Sequence, residues 1–376
     1  MTAFALQPEQ SAWCAELRTL AARRLRPLAE RGAPGRVNRP LVAALGDLGL
    51  LARLFGSGAL DLCLLRESLA YACTEAETAL ALQGLGAHPV HAHGTAAQRE
   101  RWLPRVAEGS AVAAFALTEP DAGSDAAALA LAARPDGPGR WRLTGDKCWI
   151  SNAPEADLYT VFARTTPGAG ARGVTAFLVP ADRPGLTGSH LEMLSPHPIG
   201  TLAFDAVPVT ADDVLGSPGH GFRVAMGTLD RFRPSVGAFA VGMAQAALDA
   251  TLAHTAARDA FGGKLRDLQA VSHRVAEMAV RTEAARLMVY AAATAYDAGD
   301  PDLRRRAAMA KLLATETAQE VVDAAVQLHG ARALRRGHLL EHLYREVRAP
   351  RVYEGASEVQ RGIIARESYA RAGERA

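Results

Sequence analysis

The chain has 376 residues, of which 49% are hydrophobic and 22% charged, with a formal net charge of +2. That is a globular composition with room for two or three domains, and its charge is too balanced for a nucleic-acid-binding or membrane-surface protein. The four cysteines (Cys14, Cys63, Cys73, Cys148) show no paired spacing and read as reduced, buried thiols. The first ten residues carry an acid and no basic leader, which argues against a signal peptide. No stretch of about 20 residues is free of charge and polarity, which argues against a membrane span. The unpaired cysteines point to a cytoplasmic setting, and the abundance of Ala and Arg to a high-GC bacterium.

Residues 1–110 read as helices, with apolar residues at three-to-four spacing over 8–31 and 38–52. A single long helix is predicted from Leu62 to Leu85. A shorter one follows over 96–108, with Thr95 as its cap and Gly109 as its stop. At residue 111 the pattern changes to short runs rich in Val, Phe, Thr and Leu, broken by Gly, Pro and Asp. Strands are predicted at 111–117, 141–144, 159–163, 174–180 and 201–204, forming a β-domain over 111–218. From 219 to 376 the chain is helical again, with helices at 222–258, 267–298, 302–329, 337–347 and 357–372. Their length and many-sided apolarity fit a buried bundle with subunit contacts. The expected fold is therefore a multidomain α+β protein in the order α, β, α.

Five stretches could carry chemistry. Residues 115–125 (Phe-Ala-Leu-Thr-Glu-Pro-Asp-Ala-Gly-Ser-Asp) form a strand running into a polar turn. Thr118 and Ser124 offer hydroxyls there, and Gly123 lets backbone N–H groups approach an anion. The alternative is an ordinary turn. In Lys147-Cys-Trp-Ile-Ser-Asn-Ala153, Trp149 and Ser151 follow a strand and could wall a flat ring; the alternative is a core tryptophan. Arg258-Asp-Ala-Phe-Gly-Gly-Lys-Leu-Arg-Asp-Leu-Gln269 ends one helix and opens another, with Arg258 able to neutralise a phosphate. Gln327-Leu-His-Gly-Ala331 exposes carbonyls and an amide at a helix end.

The fifth stretch is Arg351-Val-Tyr-Glu-Gly-Ala-Ser-Glu-Val-Gln-Arg361, where Pro350 and Gly355 break the helical pattern and Ser357 can cap the next helix. Glu354 is thereby presented on a turn. Apolar walls would raise its pKa from the ordinary value of about 4.3 and make it a proton acceptor. The alternative is a surface glutamate near a helix start.

Three other patterns are set aside. Gly168–Gly173 matches GxGxxG, but a strand follows it where a dinucleotide site needs a helix. His88, His91 and His93 have no acidic or Cys partner, and His338 and His342 lack the Glu of HExxH, so no metal is expected.

In this order and spacing the five stretches resemble the acyl-CoA dehydrogenase family, over nearly the whole chain. Gly94-Thr-Ala-Ala-Gln98 and Trp102-Leu-Pro104 add to the likeness. The resemblance implies an N-terminal helical domain (1–110), a middle β-domain (111–218) and a C-terminal four-helix bundle (219–376). It also implies one FAD per subunit, a homotetramer built as a dimer of dimers, and an electron-transferring flavoprotein as acceptor. Residue by residue, Glu354 matches the catalytic base. Phe115, Leu117, Thr118, Gly123 and Ser124 match the strand and turn that hold the flavin, and Trp149 and Ser151 the pair beside its reactive edge. Arg258, Phe261, Gln269, Gln327 and Ala331 match positions that grip the FAD of a neighbouring subunit, with Ala356 and Glu358 following the base. For the substrate, Asp230, Arg233, Tyr353 and Gly355, with Ser124, match positions around the thioester and its pantetheine arm, and Arg366 one near the CoA nucleotide.

The implied reaction is α,β-dehydrogenation of an acyl thioester, on CoA or an acyl carrier protein, to the 2-enoyl thioester. The alternatives are an oxygen-using flavoenzyme of the same fold (oxidase or monooxygenase) and a non-catalytic FAD-binding relative. The chain departs from the pattern at Ala331, Ala333 and Ala356, and in a short loop around Phe55–Gly58. In some members the base sits instead where Phe232 stands, which leaves Glu354 as the candidate here. The bulk of Phe232 implies a short or compact acyl group.

Overall fold

The computed structural model describes residues 6–373; the first half of the stretch read for a leader lies outside them. Helices α1 (Pro8–Leu20), α2 (Arg26–Ala29), α3 (Arg39–Asp47), α4 (Arg53–Gly56), α5 (Ala59–Ala72), α6 (Thr74–His93) and α7 (Ala96–Ala107) come first. Strands β1 (Ala113–Ala116), β2 (Ala132–Pro135), β3 (Arg140–Ser151), β4 (Leu158–Arg164), β5 (Val174–Pro180), β6 (Leu186–His190), β7 (Ile199–Thr210) and β8 (Val214–Leu215) follow. Then come α8 (Gly221–Ala257), the small pair β9 (Asp259–Ala260) and β10 (Gly263–Lys264), α9 (Gln269–Asp297), α10 (Leu303–His329), α11 (Leu339–Glu346) and α12 (Ser357–Gly373).

By contacts the chain forms two compact units, one of Met1–Arg24, Gly58–Glu77 and Asp230–Ala376, the other of Leu25–Ser57 and Thr78–Leu229. The helices before residue 110 are thus shared between the two.

The second unit is built on one sheet in the order β6-β7-β3-β2-β4-β5-β8, with β1 parallel to β4. Helix α6 is stitched to β1 by Gln83, whose amide donates to Ala111 O and accepts from Ala113 N, both at 2.7 Å. At Gly86 the helix backbone comes so close that a Cβ would sit 2.5 Å from Ala114 N. Thr95 caps α7 in a reciprocal capping box with Gln98. Gly168–Gly173 lies in the connection of the antiparallel β4–β5 pair, as a loop between strands.

The first unit is a helical bundle whose core is mostly alanine and valine from α8, α9 and α10. Small side chains let helices approach closely, and Gly242 on α8 does so most tightly: a Cβ there would lie 2.4 Å from Glu67 O and 2.8 Å from Ala70 Cβ on α5. Helix α8 is long and apolar enough to cross a membrane, but 72% of its apolar window is buried within the protein, as for a core helix.

Three local expectations are corrected. The run from Leu62 to Leu85 is two helices, because Cys73 is extended (φ −158°) and Thr74, Glu75 and Glu77 open a new helix. Acids in a first turn suit the positive end of a helix dipole, a signal that apolar periodicity alone misses. Ser357 is the first residue of α12, not its cap, and its hydroxyl donates to Glu316. Of the four thiols, Cys63, Cys73 and Cys148 are buried and Cys14 is half-buried; none is in a disulfide.

The α5–α8 contact is open to a direct test. Gly242→Val should cost about 1–3 kcal/mol of stability by overpacking and lower Tm by several degrees in differential scanning calorimetry; an unchanged Tm would show that the two helices have space to spare.

Candidate active site

In the helical unit the site is organised by the turn between α11 and α12. Pro350 sits in a single 3₁₀ turn (Ala349–Arg351) that ends the helical path. Glu354 follows in the left-handed region at φ 52°, and Gly355 at φ 92°. The conformation favours glycine, and a Cβ at Gly355 would lie 2.4 Å from Gln360 Nε2 and displace the amide that holds the turn. A non-glycine residue at positive φ costs on the order of 1–3 kcal/mol and persists only where the surroundings over-determine it.

Here they do. The Glu354 carbonyl accepts from Gln360 Nε2 at 3.1 Å and Arg233 Nε at 3.3 Å. The Gly355 carbonyl accepts from Gln360 Nε2 at 3.0 Å and Lys311 Nζ at 2.7 Å. By contrast, the Glu354 carboxylate oxygen Oε2 is buried with no hydrogen-bond partner. Among the described residues no acceptor meets the Glu354 N–H either.

The walls around this carboxylate are not simply apolar, which corrects the sequence expectation. Burial raises the Glu354 pKa above the ordinary carboxylate range, while Arg66, Lys311 and Arg233 pull it back. Arg66, buried on α5, bridges to Glu77 on α6 and donates to Ser235 Oγ at 2.6 Å. Arg233 pairs with Asp230 at 2.7 Å. Asp230 and Arg233, expected near a substrate, thus also brace the turn.

Arg66, Glu77 and Lys311 were not singled out from the sequence. The available signal was a charged residue inside an otherwise apolar helical run, Leu-Cys-Leu-Leu-Arg66 and Ala-Met-Ala-Lys311. Of the remaining positions here, Tyr353 is half-buried, and its hydroxyl is pushed well above the usual range, first by burial. Ala356 is half-buried; Glu358 and Arg366 are exposed, Glu358 pairing with Arg361 at 3.3 Å.

At another end of the same bundle, Arg258, Phe261, Gln269, Gln327 and Ala331 are all exposed. The stacked pair His254 and His329, with ring centroids 4.2 Å apart, joins the ends of α8 and α10 that carry them. Phe261 is 91% exposed and held at φ 54°. Among the described residues neither the Arg258 guanidinium nor the Gln327 amide has a protein partner.

In the sheet unit the second set of positions converges. Cys148 N donates to Thr118 O at 3.1 Å, bringing the end of β1 beside the end of β3. A register shift in the β3–β7 pairing between Lys147 and Ile150 forms a bulge, and within it Trp149 sits at φ 57° and is 53% exposed. Trp149 is therefore not a core residue. Phe115 and Thr118 are half-buried, Leu117 is buried, and Gly123 and Ser124 are exposed.

Beneath the turn lies a buried ion pair. Lys147 Nζ donates to Glu119 Oε1 and to Leu117 O, both at 2.8 Å, while Glu119 accepts the N–H groups of Ala130 and Leu131. Burial pulls the Lys147 pKa down to about 8. Ser151 Oγ and His197 Nε2 are 2.8 Å apart, a partner the sequence reading missed; burial lowers the His197 pKa to about 4, so the ring is neutral.

The acyl-CoA dehydrogenase N-terminal domain model matches residues 7–110, the middle domain model 114–207 and the C-terminal domain model 219–369. The chain belongs to the acyl-CoA dehydrogenase family. A probable acyl-CoA dehydrogenase of Mycobacterium tuberculosis is 36% identical over 374 residues, covering 96% of each chain. The short-chain specific acyl-CoA dehydrogenase of Bos taurus mitochondria is 38% identical over 335 residues, 86% of this chain and 81% of that one. The structure of butyryl-CoA dehydrogenase from Megasphaera elsdenii superimposes with a TM-score of 0.90 at 33% identity, over 96% of this chain and 98% of the other.

As a member of this family the chain is an FAD-dependent oxidoreductase. The residues present fit that cofactor. Thr118 and Gln327 have side-chain donors with no protein partner, Arg258 an uncommitted charge for a phosphate, and Trp149 and Phe261 exposed rings on strained backbone.

The Glu119–Lys147 pair makes a clear prediction. Lys147→Met should cost about 3–5 kcal/mol, because it strands a buried carboxylate. Adding Glu119→Gln should recover part of the loss. Chemical denaturation of the parent and the two variants reads this out, and equal stability of Lys147→Met and the parent would refute it.

Proposed function

We propose that this enzyme removes hydrogen from the α and β carbons of a short or compact acyl-CoA, with Glu354 as the base that takes the α-proton. The observation that carries this reading is the buried, unpartnered Oε2 of Glu354 on a turn that engages the Glu354 and Gly355 carbonyls.

A thioester lends its α-C–H some acidity, and the charge that develops on its carbonyl needs a hydrogen-bond donor. The Glu354 N–H, which no protein acceptor meets among the described residues, is available for that carbonyl. The carboxylate oxygen and the amide of one residue would then act on adjacent atoms of the substrate. Bound FAD supplies the two-electron acceptor for the hydride that leaves the β-carbon. The groups proposed to hold it are those of the Phe115–Ser124 segment, Trp149 and Ser151, with Arg258, Phe261, Gln269, Gln327 and Ala331 serving the FAD of a neighbouring copy in a homotetramer.

Phe232 supports the compact acyl group: it is 1% exposed, next to Arg233 on α8. Short-chain and butyryl-CoA enzymes are among the similar proteins. The proposed electron acceptor is an electron-transferring flavoprotein, and the proposed setting the bacterial cytoplasm.

The test is an anaerobic titration of the purified flavoprotein with straight and branched acyl-CoAs, followed by flavin absorbance. Short acyl-CoAs should bleach the flavin. Glu354→Gln should keep FAD but reduce it about 10²–10⁴-fold more slowly, and Phe232→Ala should extend the accepted chain length. A Glu354→Gln enzyme bleached at the parental rate would overturn the base assignment, and an unchanged chain-length profile in Phe232→Ala would overturn the acyl-group assignment.

A further inference from the structure

Two lysines are fully buried, Lys147 in the sheet unit and Lys311 on α10 in the helical unit, and burial pulls each ammonium down to a pKa of about 8. Their partners differ. Lys147 is spent on the Glu119 carboxylate. Lys311 donates at 2.7 Å to the carbonyl of Gly355, one residue beyond Glu354, and forms no ion pair among the described residues.

The other cations near Glu354 have carboxylates of their own: Arg66 has Glu77, and Arg233 has Asp230. The other acids that act on Lys311 are committed, Glu316 to Arg351 at 2.7 Å and to Ser357, and Glu358 to Arg361. Once these pairs are matched, one buried cation and one buried carboxylate remain, Lys311 and Glu354. They interact through space and share no hydrogen bond.

We propose that Lys311 is a positioning residue for the proton-abstraction step: it clamps the turn through the Gly355 carbonyl, and its charge keeps the Glu354 carboxyl ionised at neutral pH while leaving Oε2 free. The inference rests on the reading of Glu354 as the base. A direct ion pair would occupy the lone pair that must accept the proton; a cation held on the neighbouring carbonyl favours the carboxylate without blocking it. Proton uptake by Glu354 leaves the matched cluster with one excess positive charge, so the two groups titrate as a coupled pair.

The groups facing this pair set the background. They are Arg66 on α5, Glu77 on α6, Arg233 with Asp230 on α8, Glu316 on α10, Tyr353 in the turn and Glu358 on α12. Apart from Tyr353, each charged member has the partner named above.

Without the lysine charge the protonated form of Glu354 is favoured, so its pKa rises and the active carboxylate is lost at a higher pH. In the FAD-loaded enzyme, the acid limb of the flavin-reduction rate should move up by about one to two pH units in Lys311→Met. The rate should recover towards the parental value at alkaline pH, and Lys311→Arg should keep the parental limb. A Lys311→Met enzyme that is slowed equally at every pH, with the limb unmoved, would show a merely structural role and overturn the inference. Glu354→Gln separates the two claims, since retention of its activity would remove the base itself. Should Lys311→Met fail to fold, isotope-edited infrared spectroscopy of the parent, with Glu354→Gln as the blank, reads the same carboxyl. An ionised Glu354 at pH 7 is expected, and a protonated one overturns the inference.

Discussion

A single turn at residues 352–356 carries the account. It places a non-glycine residue in the left-handed region and compensates by binding the carbonyls of Glu354 and Gly355 with Lys311, Arg233 and Gln360. With those two carbonyl oxygens satisfied internally, Oε2 of the Glu354 carboxylate is left buried without a hydrogen-bond partner. An unsatisfied buried acceptor costs about 1–3 kcal/mol or more when charged, so its survival in a packed site is expected where the group has work to do. Positive φ recurs at Trp149 and Phe261, two other positions marked by the sequence motifs. Backbone strain and motif therefore coincide at three separate points.

Two carboxylates, those of Glu119 and Glu354, show how environment divides roles. Glu119 accepts from Lys147 and two backbone amides and can only hold its turn in place. Glu354 feels three cations, Arg66, Lys311 and Arg233, but touches none of them through its free oxygen. Both are glutamates near a buried lysine; the difference is whether the lysine reaches the carboxylate or the carbonyl beside it. The alanine-rich bundle supports this by bringing α5, α8, α10 and the turn close enough for side chains from each to meet.

Much of this was legible in the sequence. The Pro350 and Gly355 breaks located the turn, the switch from three-to-four spacing to short β-rich runs located the sheet, and the motif order named the family. What was not legible depends on packing at a distance. Periodicity ran α5 and α6 together because Cys73 is apolar enough not to interrupt the pattern. Ser357 looked like a cap because its use by Glu316, 41 residues away, leaves no local trace. Arg66, Glu77, Lys311 and His197 lie outside the motifs, and their roles arise only when helices or strands remote in sequence meet. The expectation of apolar walls around Glu354 failed for the same reason.

The central claim is that Glu354 takes the α-proton of a bound acyl thioester. It is tested most directly by incubating the FAD-loaded enzyme with a short acyl-CoA in deuterated water without an electron acceptor, then measuring deuterium at the α-carbon of the recovered acyl-CoA by mass spectrometry. The account predicts α-deuteration by the parent and none above background by Glu354→Gln. Equal deuteration by both would contradict it and move the base to another residue.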